Sequence, residues 1–380
     1  MIIDVIGISI LSIFLLFIIS KKNKIISDYY LMLIIILFSG ILGSDIWMKN
    51  GLSLMSFLAH LFFNTFTFPC LILYGLLLIS ENGKVKKRWF WVYGYGTVFF
   101  IFIVLDTMFF NEYNADKSIS NLLESPSMVY LFLYNGHYAF VIGVLLWFLK
   151  KINNYRKRIK NYYSSIEFIH LNWFRYFVYT FLVINVLSFF LFLSFNLGII
   201  TNINTPFNIV YALVVLSLFY LCYNGIRHYS NINIKEFQDS LQLRNNGNAI
   251  ESGFEKYKSS SLTDNEMNSL FEEIKNLFDF EEIYLEPQLK IDEIAKQLEV
   301  TTHKISQTIN SKASKPFYDY VNAYRVNHFK QLLSNPENRK FTILALGIES
   351  GFNSKASLNR IFKQTTGMGP KEYQKKYSKN

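Results

Sequence analysis

Seven long, nearly charge-free apolar runs fill the first 225 or so residues of the 380-residue chain. A helix needs about 20 predominantly apolar residues to cross about 30 Å of hydrocarbon. Each of the seven runs meets that requirement, so we predict seven membrane spans. The predicted spans are residues 2–20, 29–48, 52–80, 89–110, 128–149, 172–200 and 206–226.

The composition agrees with a chain that is membrane-embedded in its first half and soluble in its second. Only 17% of the residues are charged, against roughly 25% in soluble domains. Disordered, collagenous and disulfide-scaffold classes are excluded, and so is a signal peptide followed by a soluble protein. Cys70 and Cys222 both lie inside apolar runs. We interpret them as buried thiols, and we expect no metal site and no cofactor.

Basic residues are concentrated in alternate loops, and this predicts the orientation of the spans. They follow the first, third, fifth and seventh runs at 21–24, 84–88, 150–160 and Arg227, whereas the other loops carry little positive charge. Positive charge marks the cytoplasmic side of a bilayer. We therefore expect the N-terminus outside and the C-terminus in the cytoplasm.

Several polar side chains occur inside the predicted spans, in the half that this orientation makes the outer one. They are Asp45, His60, Asn64, Asp106, Asn135 and His137. Two interpretations stay open. These residues form hydrogen bonds between helices of the bundle, or they line an outward-facing pocket that senses a small ligand or a proton. The chain has no nucleophile elbow, zincin motif or phosphate-binding loop, so we do not expect an enzyme.

After the last span the chain changes character. Residues 229–262 are polar and rich in helix breakers, which predicts a linker, with a short helix at 233–243 as an option. We expect three parts: a seven-span sensor domain at 1–228, the linker at 229–262 and a soluble domain at 263–380. The fold class is all-α, a transmembrane bundle followed by a cytoplasmic helical domain.

The soluble part contains the same helical pattern twice. Thr263 and Glu266 fit a capping box that starts a helix to about residue 278. Apolar residues then recur at helical spacing across 291–311, with a break at 299–301 and Thr302 as the cap of the second helix. After a long helix at 316–334, Thr342 and Ser354 cap two more helices within 342–366. Two short helices joined by a tight turn predict a helix-turn-helix unit, and here there are two.

These motifs resemble the DNA-binding domain of AraC-type transcription regulators. The resemblance covers about 110 residues and lies in these segments: Leu289-x-x-x-x-Ile294-Ala295, Ile305-Ser306-x-x-Ile309-Asn310, Tyr320-x-Asn322-x-x-Arg325, Gly351-Phe352-Asn353-Ser354, Asn359-Arg360-Ile361-Phe362-Lys363 and Gly367-x-x-Pro370-x-x-Tyr373. The layout is similar to the membrane-anchored subset of that family. Gly347 and Leu358 depart from the pattern, because the family has Ala and often Phe there. A glycine inside a helix costs about 1 kcal/mol.

Helical periodicity predicts which side chains of the two recognition helices face outward. At 100° per residue, Ile305 and Ile309 point inward on the first helix, and Leu358, Ile361 and Phe362 point inward on the second. The outward side chains are then His303, Ser306, Gln307 and Asn310, followed by Asn353, Lys355, Ala356, Asn359, Arg360 and Lys363. Arg suits guanine, Asn or Gln suits adenine, and Lys suits the phosphate backbone. The resemblance implies the same role for the matching positions.

Positive charge is concentrated in the same region. Residues 301–380 contain fourteen Lys or Arg and four Asp or Glu, a net charge of +10 that equals the net charge of the whole chain. Such a surface is typical of proteins that bind phosphate backbones. We predict a transcription regulator of a bacterial cytoplasmic membrane. Its expected partners are double-stranded DNA, the lipid bilayer, a small-molecule or proton signal and a second copy of the chain. The alternative is a membrane transporter or enzyme with a helical regulatory appendage.

Overall fold

The computed structural model describes residues 2–51, 53–80, 84–106, 128–167, 169–200, 204–230 and 262–377. Within these ranges the chain is all-helical. It divides into two compact units, each made of two segments of chain. The first unit is Met1–Ile152 with Leu171–Asn246, and the second is Asn153–His170 with Gly247–Asn380.

The first unit contains the apolar helices, except for residues 153–159 at the end of the fifth, which belong to the second unit. The apolar helices are α1 (Ile2–Ser20), α2 (Ile26–Asn50), α3 (Leu54–Leu78), α4 (Trp91–Leu105), α5 (Met128–Ile159), α6 (Asn172–Asn196) and α7 (Asn204–Ser230). Seven helices in the described part of the chain are long and apolar enough to cross a membrane, if the turn at Lys87–Phe90 is counted with α4. A helix suits this environment because it satisfies its own backbone hydrogen bonds. The helices of the first unit are therefore compatible, in length and composition, with a membrane protein.

The observed helices differ from the predicted spans mainly at their ends. α5 continues ten residues beyond the predicted end at residue 149 and stops at Ile159. The predicted span is the apolar run alone, and the helix continues past it because the basic residues of 150–158 are themselves good helix formers. α7 continues to Ser230, just into the predicted linker. The rest of that linker, including the optional helix at 233–243, lies outside the described residues, as does most of the loop between the fourth and fifth spans.

The second unit consists of shorter amphipathic helices. They are α8 (Asp264–Asp279), α9 (Ile291–Gln297), α10 (Thr302–Ala313), α11 (Phe317–Ser334), α12 (Ile343–Glu349), α13 (Lys355–Thr366) and α14 (Pro370–Tyr377). The predicted capping box of α8 is confirmed: Thr263 N–H donates to Glu266 Oε2 at 2.8 Å, and this bond lowers the pKa of Glu266. Thr301, and not Thr302 as predicted, caps α10.

α11 lies between two apolar cores of the second unit. One core contains Phe317 and Val321 together with side chains of α8, α9 and α10. The other contains Val326 and Phe329 together with side chains of α12 and α13. Burial on both sides explains why the buried surface of α11 is wider than the single stripe that periodicity predicts.

Residues of the segment Asn153–His170 also pack into the second unit. Ile159 and Ile166 are buried in the core that contains Phe329. The backbone of Tyr163 forms an isolated antiparallel bridge with Lys290. This segment falls within residues 1–228, the predicted sensor domain, so its grouping with the helices of residues 262–377 differs from the expected boundary.

Candidate nucleic-acid interface

The first helix-turn-helix unit is formed by α9 and α10. Ile294, Ala295, Ile305 and Ile309 are buried where the two helices cross. The turn between them is closed by Val300 N–H donating to the Ala295 carbonyl at 2.9 Å. The predicted inward direction of Ile305 and Ile309 is confirmed, which directs the other side of α10 to solvent.

The buried face of α10 is wider than predicted. His303 and Asn310 are exposed and Gln307 is partly exposed, but Ser306 is buried, as is Thr308. The prediction that Ser306 faces outward was therefore wrong. α10 packs against α8 as well as α9, and a helix with neighbours on two sides buries a wider arc. The Ser306 carbonyl accepts a hydrogen bond from Asn310 Nδ2 at 2.8 Å.

The second helix-turn-helix unit is formed by α12 and α13. Both predicted caps are confirmed: Ala345 N–H donates to Thr342 Oγ1 and Ser357 N–H donates to Ser354 Oγ, each at 3.1 Å. Leu358, Ile361 and Phe362 are buried as predicted. The exposed side of α13 therefore carries the predicted DNA-contacting residues of this helix, which are Lys355, Ala356, Asn359, Arg360 and Lys363.

Two glycines allow the second unit to pack closely. Gly351 has a φ of +83°, and a Cβ there would lie 2.6 Å from the Tyr284 carbonyl oxygen. Gly347 occupies a position where a Cβ would lie 2.5 Å from Leu358 Cδ2. The two departures from the family pattern, Gly347 and Leu358, are thus in direct contact, and the small residue makes room for the leucine.

At the second recognition helix, the predicted DNA-contacting residues Arg360 and Asn353 have partners inside the second unit. Arg360 donates to the Tyr318 hydroxyl at 3.0 Å, and burial raises the pKa of Tyr318, so the hydroxyl accepts as a neutral phenol. Asn353 Nδ2 donates to Ser165 Oγ at 3.0 Å. Asn353 is partly buried, whereas Arg360 remains exposed.

Arg325 and Asn322, which belong to one of the family motifs, are buried in α11 rather than available to DNA. Arg325 is 1% exposed and donates to the backbone carbonyls of Tyr284 and Glu286 at 2.7 and 2.6 Å. Burial lowers the pKa of Arg325 to about 10, which leaves it charged at neutral pH. The sequence offered no distinct signal for this role, because α11 carries other polar residues, such as Asp319 and Asn327, that look the same in a periodicity argument.

The polar residues proposed for sensing fall into separate groups in the first unit. His60 joins two helices, with Nδ1 3.2 Å from Ser44 Oγ and Nε2 3.3 Å from the Tyr211 hydroxyl. Asp45, next to Ser44, pairs with Lys49, which also lies 3.0 Å from Asp4. The sequence analysis missed Asp4, although it is an acidic residue in an otherwise apolar helix.

The remaining predicted sensing residues have other direct partners than His60. His137 Nδ1 lies 3.3 Å from the Tyr95 hydroxyl, and its ring stacks on Phe99. Asn135 Nδ2 donates to the Leu131 carbonyl of its own helix. Asp106 is buried, whereas Asn64 is exposed. The structure therefore does not bring the six residues into one site.

Comparisons with known proteins identify the class of the second unit. Residues 294–376 match a family model described as a helix-turn-helix domain. An uncharacterized HTH-type transcriptional regulator of Staphylococcus aureus (strain COL) is 24% identical over 102 residues, which are 27% of this chain and 13% of that protein. A solved structure of a protein of unknown function from Listeria innocua matches 27% of this chain and 96% of its own, with 26% identity and a TM-score of 0.25. Residues 294–376 therefore form a domain of the helix-turn-helix class.

Proposed function

We propose that this protein is a membrane-bound transcription regulator that binds promoter DNA in a sequence-specific manner. The observation that carries the proposal is the pair of polar outward faces on α10 and α13, within a domain of helix-turn-helix class. In such units the second helix enters the major groove, and two recognition helices about 34 Å apart reach successive turns of one face of the duplex. His303, Gln307 and Asn310 contact DNA from α10. The second helix-turn-helix unit contacts DNA through a residue just before α13 and several residues on that helix. They are Asn353, Lys355, Ala356, Asn359, Arg360 and Lys363.

The test of DNA binding uses the full chain in lipid nanodiscs. A duplex is first selected by the wild-type protein from a random-sequence library, and the affinities of Asn359→Ala and Arg360→Ala for it are then measured. Removal of one base contact should reduce the affinity by about 5- to 150-fold. Unchanged affinity would refute these residue assignments. Failure of the wild-type protein to select any duplex would favour the membrane transporter or enzyme with a regulatory appendage.

We further propose that the first unit spans a bacterial cytoplasmic membrane with the N-terminus outside and the C-terminus in the cytoplasm. The support is the alternation of basic and charge-poor loops. In intact cells, a thiol-reactive reagent that cannot cross the membrane should label a cysteine introduced at residue 51. The reagent should not label the cysteine of Lys296→Cys until the cells are lysed. The reverse labelling pattern would contradict the orientation.

The signal is proposed to act on the polar groups around His60 and His137. Two partly buried histidines with partners on other helices are suited to sense a small polar ligand or a proton, because their bonds change with the protonation state. His60→Ala and His137→Ala should change transcriptional output across pH and candidate ligands while DNA affinity stays unchanged. Asn64→Ala is the matched control, since Asn64 is a polar residue of the same helix as His60 but is exposed. Identical output from all three variants would assign a structural role to both histidines.

A second copy of the chain is the remaining proposed partner. DNA-binding domains of this kind use dimers to read paired half-sites. Cross-linking of the full chain in membranes, with and without the selected duplex, tests this proposal.

A further inference from the structure

The loop between the fifth and sixth apolar helices makes specific contacts with three helices of the DNA-binding unit. Its residues 160–167 lie within the second unit, although partners such as Asn322 and Asn353 lie 158 and 188 residues further along the chain. We refer to residues 160–167 as the docking loop. It follows α5 directly, so it is covalently attached to two of the apolar helices.

The docking loop supplies hydrogen-bond acceptors to two helix N-termini. The Lys160 carbonyl accepts from Tyr318 N–H at 2.8 Å, and the Tyr162 carbonyl accepts from Ile291 N–H at 3.1 Å. Amides in the first turn of a helix have no partner within that helix. The N-cap residues of α9 and α11 make no side-chain capping bond. Carbonyl groups of the docking loop therefore accept hydrogen bonds from first-turn N–H groups that have no acceptor within their own helix.

The middle of the docking loop is tied to the buried polar groups of α11. The Ser164 carbonyl accepts from Asn322 Nδ2 at 3.1 Å, and Ser164 Oγ accepts from Arg325 at 3.2 Å. Ser164 N–H donates to the Leu289 carbonyl at 3.1 Å. The side chains of Ser164, Asn322 and Arg325 are all buried, so separating them would leave several polar groups without partners, which is costly.

The end of the docking loop contacts the start of the second recognition helix. Ser354 Oγ, the N-cap of α13, donates to Glu167 Oε2 at 2.8 Å, and Asn353 donates to Ser165. A helix N-terminus attracts anions, and DNA-binding proteins use such termini to hold phosphates. The Glu167 carboxylate is therefore an anion at the position where the backbone of a bound duplex would approach α13.

We propose that the docking loop is the regulatory connection between the apolar helices and the DNA-binding unit, and that Glu167 competes with a DNA phosphate for the N-terminus of α13. This inference rests on the proposed function, because it requires that α13 binds DNA. A rearrangement of the fifth or sixth apolar helix that pulls the loop away would release Asn353 and Ser354 to DNA. A rearrangement that keeps the loop docked would keep the affinity low.

The test compares Glu167→Gln with Glu273→Gln in the full chain in nanodiscs. Both substitutions remove one negative charge from the second unit, but Glu273 is an exposed residue of α8. The probe is the duplex selected by the wild-type protein, at about 0.1 M salt where nearby charges still interact. Glu167→Gln should tighten binding by about three- to tenfold, since charge at a helix terminus contributes up to about 1 kcal/mol or somewhat more. Glu273→Gln should change the affinity by less than about twofold, because surface charges away from the contact contribute little.

A second measurement reports on the docking loop itself. Amide hydrogen exchange of residues 160–167 should increase when the selected duplex is bound, because the loop leaves α13. Equal affinities of Glu167→Gln and Glu273→Gln, weaker binding by Glu167→Gln, or loop exchange that DNA does not change would each overturn the inference. In these cases the reduced affinity of Arg360→Ala would still support DNA binding. Absence of DNA binding by the wild-type protein would instead overturn the proposed function.

Discussion

The Arg325 guanidinium donates from Nε to the Tyr284 carbonyl oxygen at 2.7 Å, although 41 residues of chain separate the two. This bond joins the central helix α11 to the segment that precedes the first helix-turn-helix unit. A second donor on the same guanidinium reaches Glu286, two residues further along. Arg325 therefore fixes the position of one helix-turn-helix unit relative to the helix that carries the other.

Replacement of Arg325 should destabilise the second unit strongly. Arg325→Ala leaves buried carbonyls without donors and opens a cavity, so we expect a loss of about 3–5 kcal/mol. Arg325→Lys should recover only part of this loss, since an ammonium group lacks the planar fork that reaches both carbonyls. Hydrogen exchange of the α9–α12 amides in the full chain measures the change. Equal exchange in all three proteins would contradict the role assigned to Arg325.

Gly351 should tolerate no side chain. Gly351→Ala would force a residue with a Cβ into a left-handed conformation and against the Tyr284 carbonyl oxygen, which is backbone and cannot move aside easily. We expect a destabilisation of at least about 2 kcal/mol. Gly367→Ala is the control, because Gly367 has a similar φ of +79° but a Cβ there would meet nothing within 4 Å. A cost as large in Gly367→Ala as in Gly351→Ala would show that backbone conformation alone determines the effect.

Gly347 and Leu358 should show energetic coupling. Gly347→Ala gains about 1 kcal/mol of helix propensity, but the new methyl group overlaps the buried Leu358 side chain, and overpacking costs about 1–3 kcal/mol. Leu358→Ala alone should cost about 2–5 kcal/mol. When Leu358→Ala is combined with Gly347→Ala, its cost should fall by about 1 kcal/mol, because the truncation also relieves the overlap. Additive effects in this double-mutant cycle would contradict direct packing between the two residues.

The lysines of α13 should contribute to affinity without contributing to sequence preference. If Lys355 and Lys363 each contact a phosphate, Lys355→Ala and Lys363→Ala should each reduce the slope of log K against log salt by about 0.9. Asn359→Ala should instead relax the preference for one base pair, with a smaller change in slope. Lys275→Ala is the control, since Lys275 lies on α8 and pairs with Glu272. A slope that is equal in wild-type, Lys355→Ala and Lys363→Ala proteins would remove these lysines from the interface.

Local features of the chain were predictable because they depend on residues close together in sequence. Apolar length predicted the seven membrane-length helices, and capping residues such as Thr263, Thr342 and Ser354 predicted where helices of the second unit begin. The spacing of Leu358, Ile361 and Phe362 predicted the buried face of α13. A helix cap and the spacing of apolar residues each involve residues within one or two helical turns of each other, so both can be recognised from the sequence.

The burial of Ser306, the packing of Leu358 against Gly347 and the position of the docking loop depended on neighbours that are distant in the chain. Periodicity gives the centre of a helix's buried face, whereas the number of helices around it decides the width, and α10 has both α8 and α9 as neighbours. The docking loop binds in part through backbone carbonyls, which every residue possesses and which leave no pattern in the sequence. The amino-acid sequence alone thus determined the helices, their caps and the class of the C-terminal domain. Only the tertiary structure decided which polar groups stay available to DNA, because their partners come from segments far along the chain.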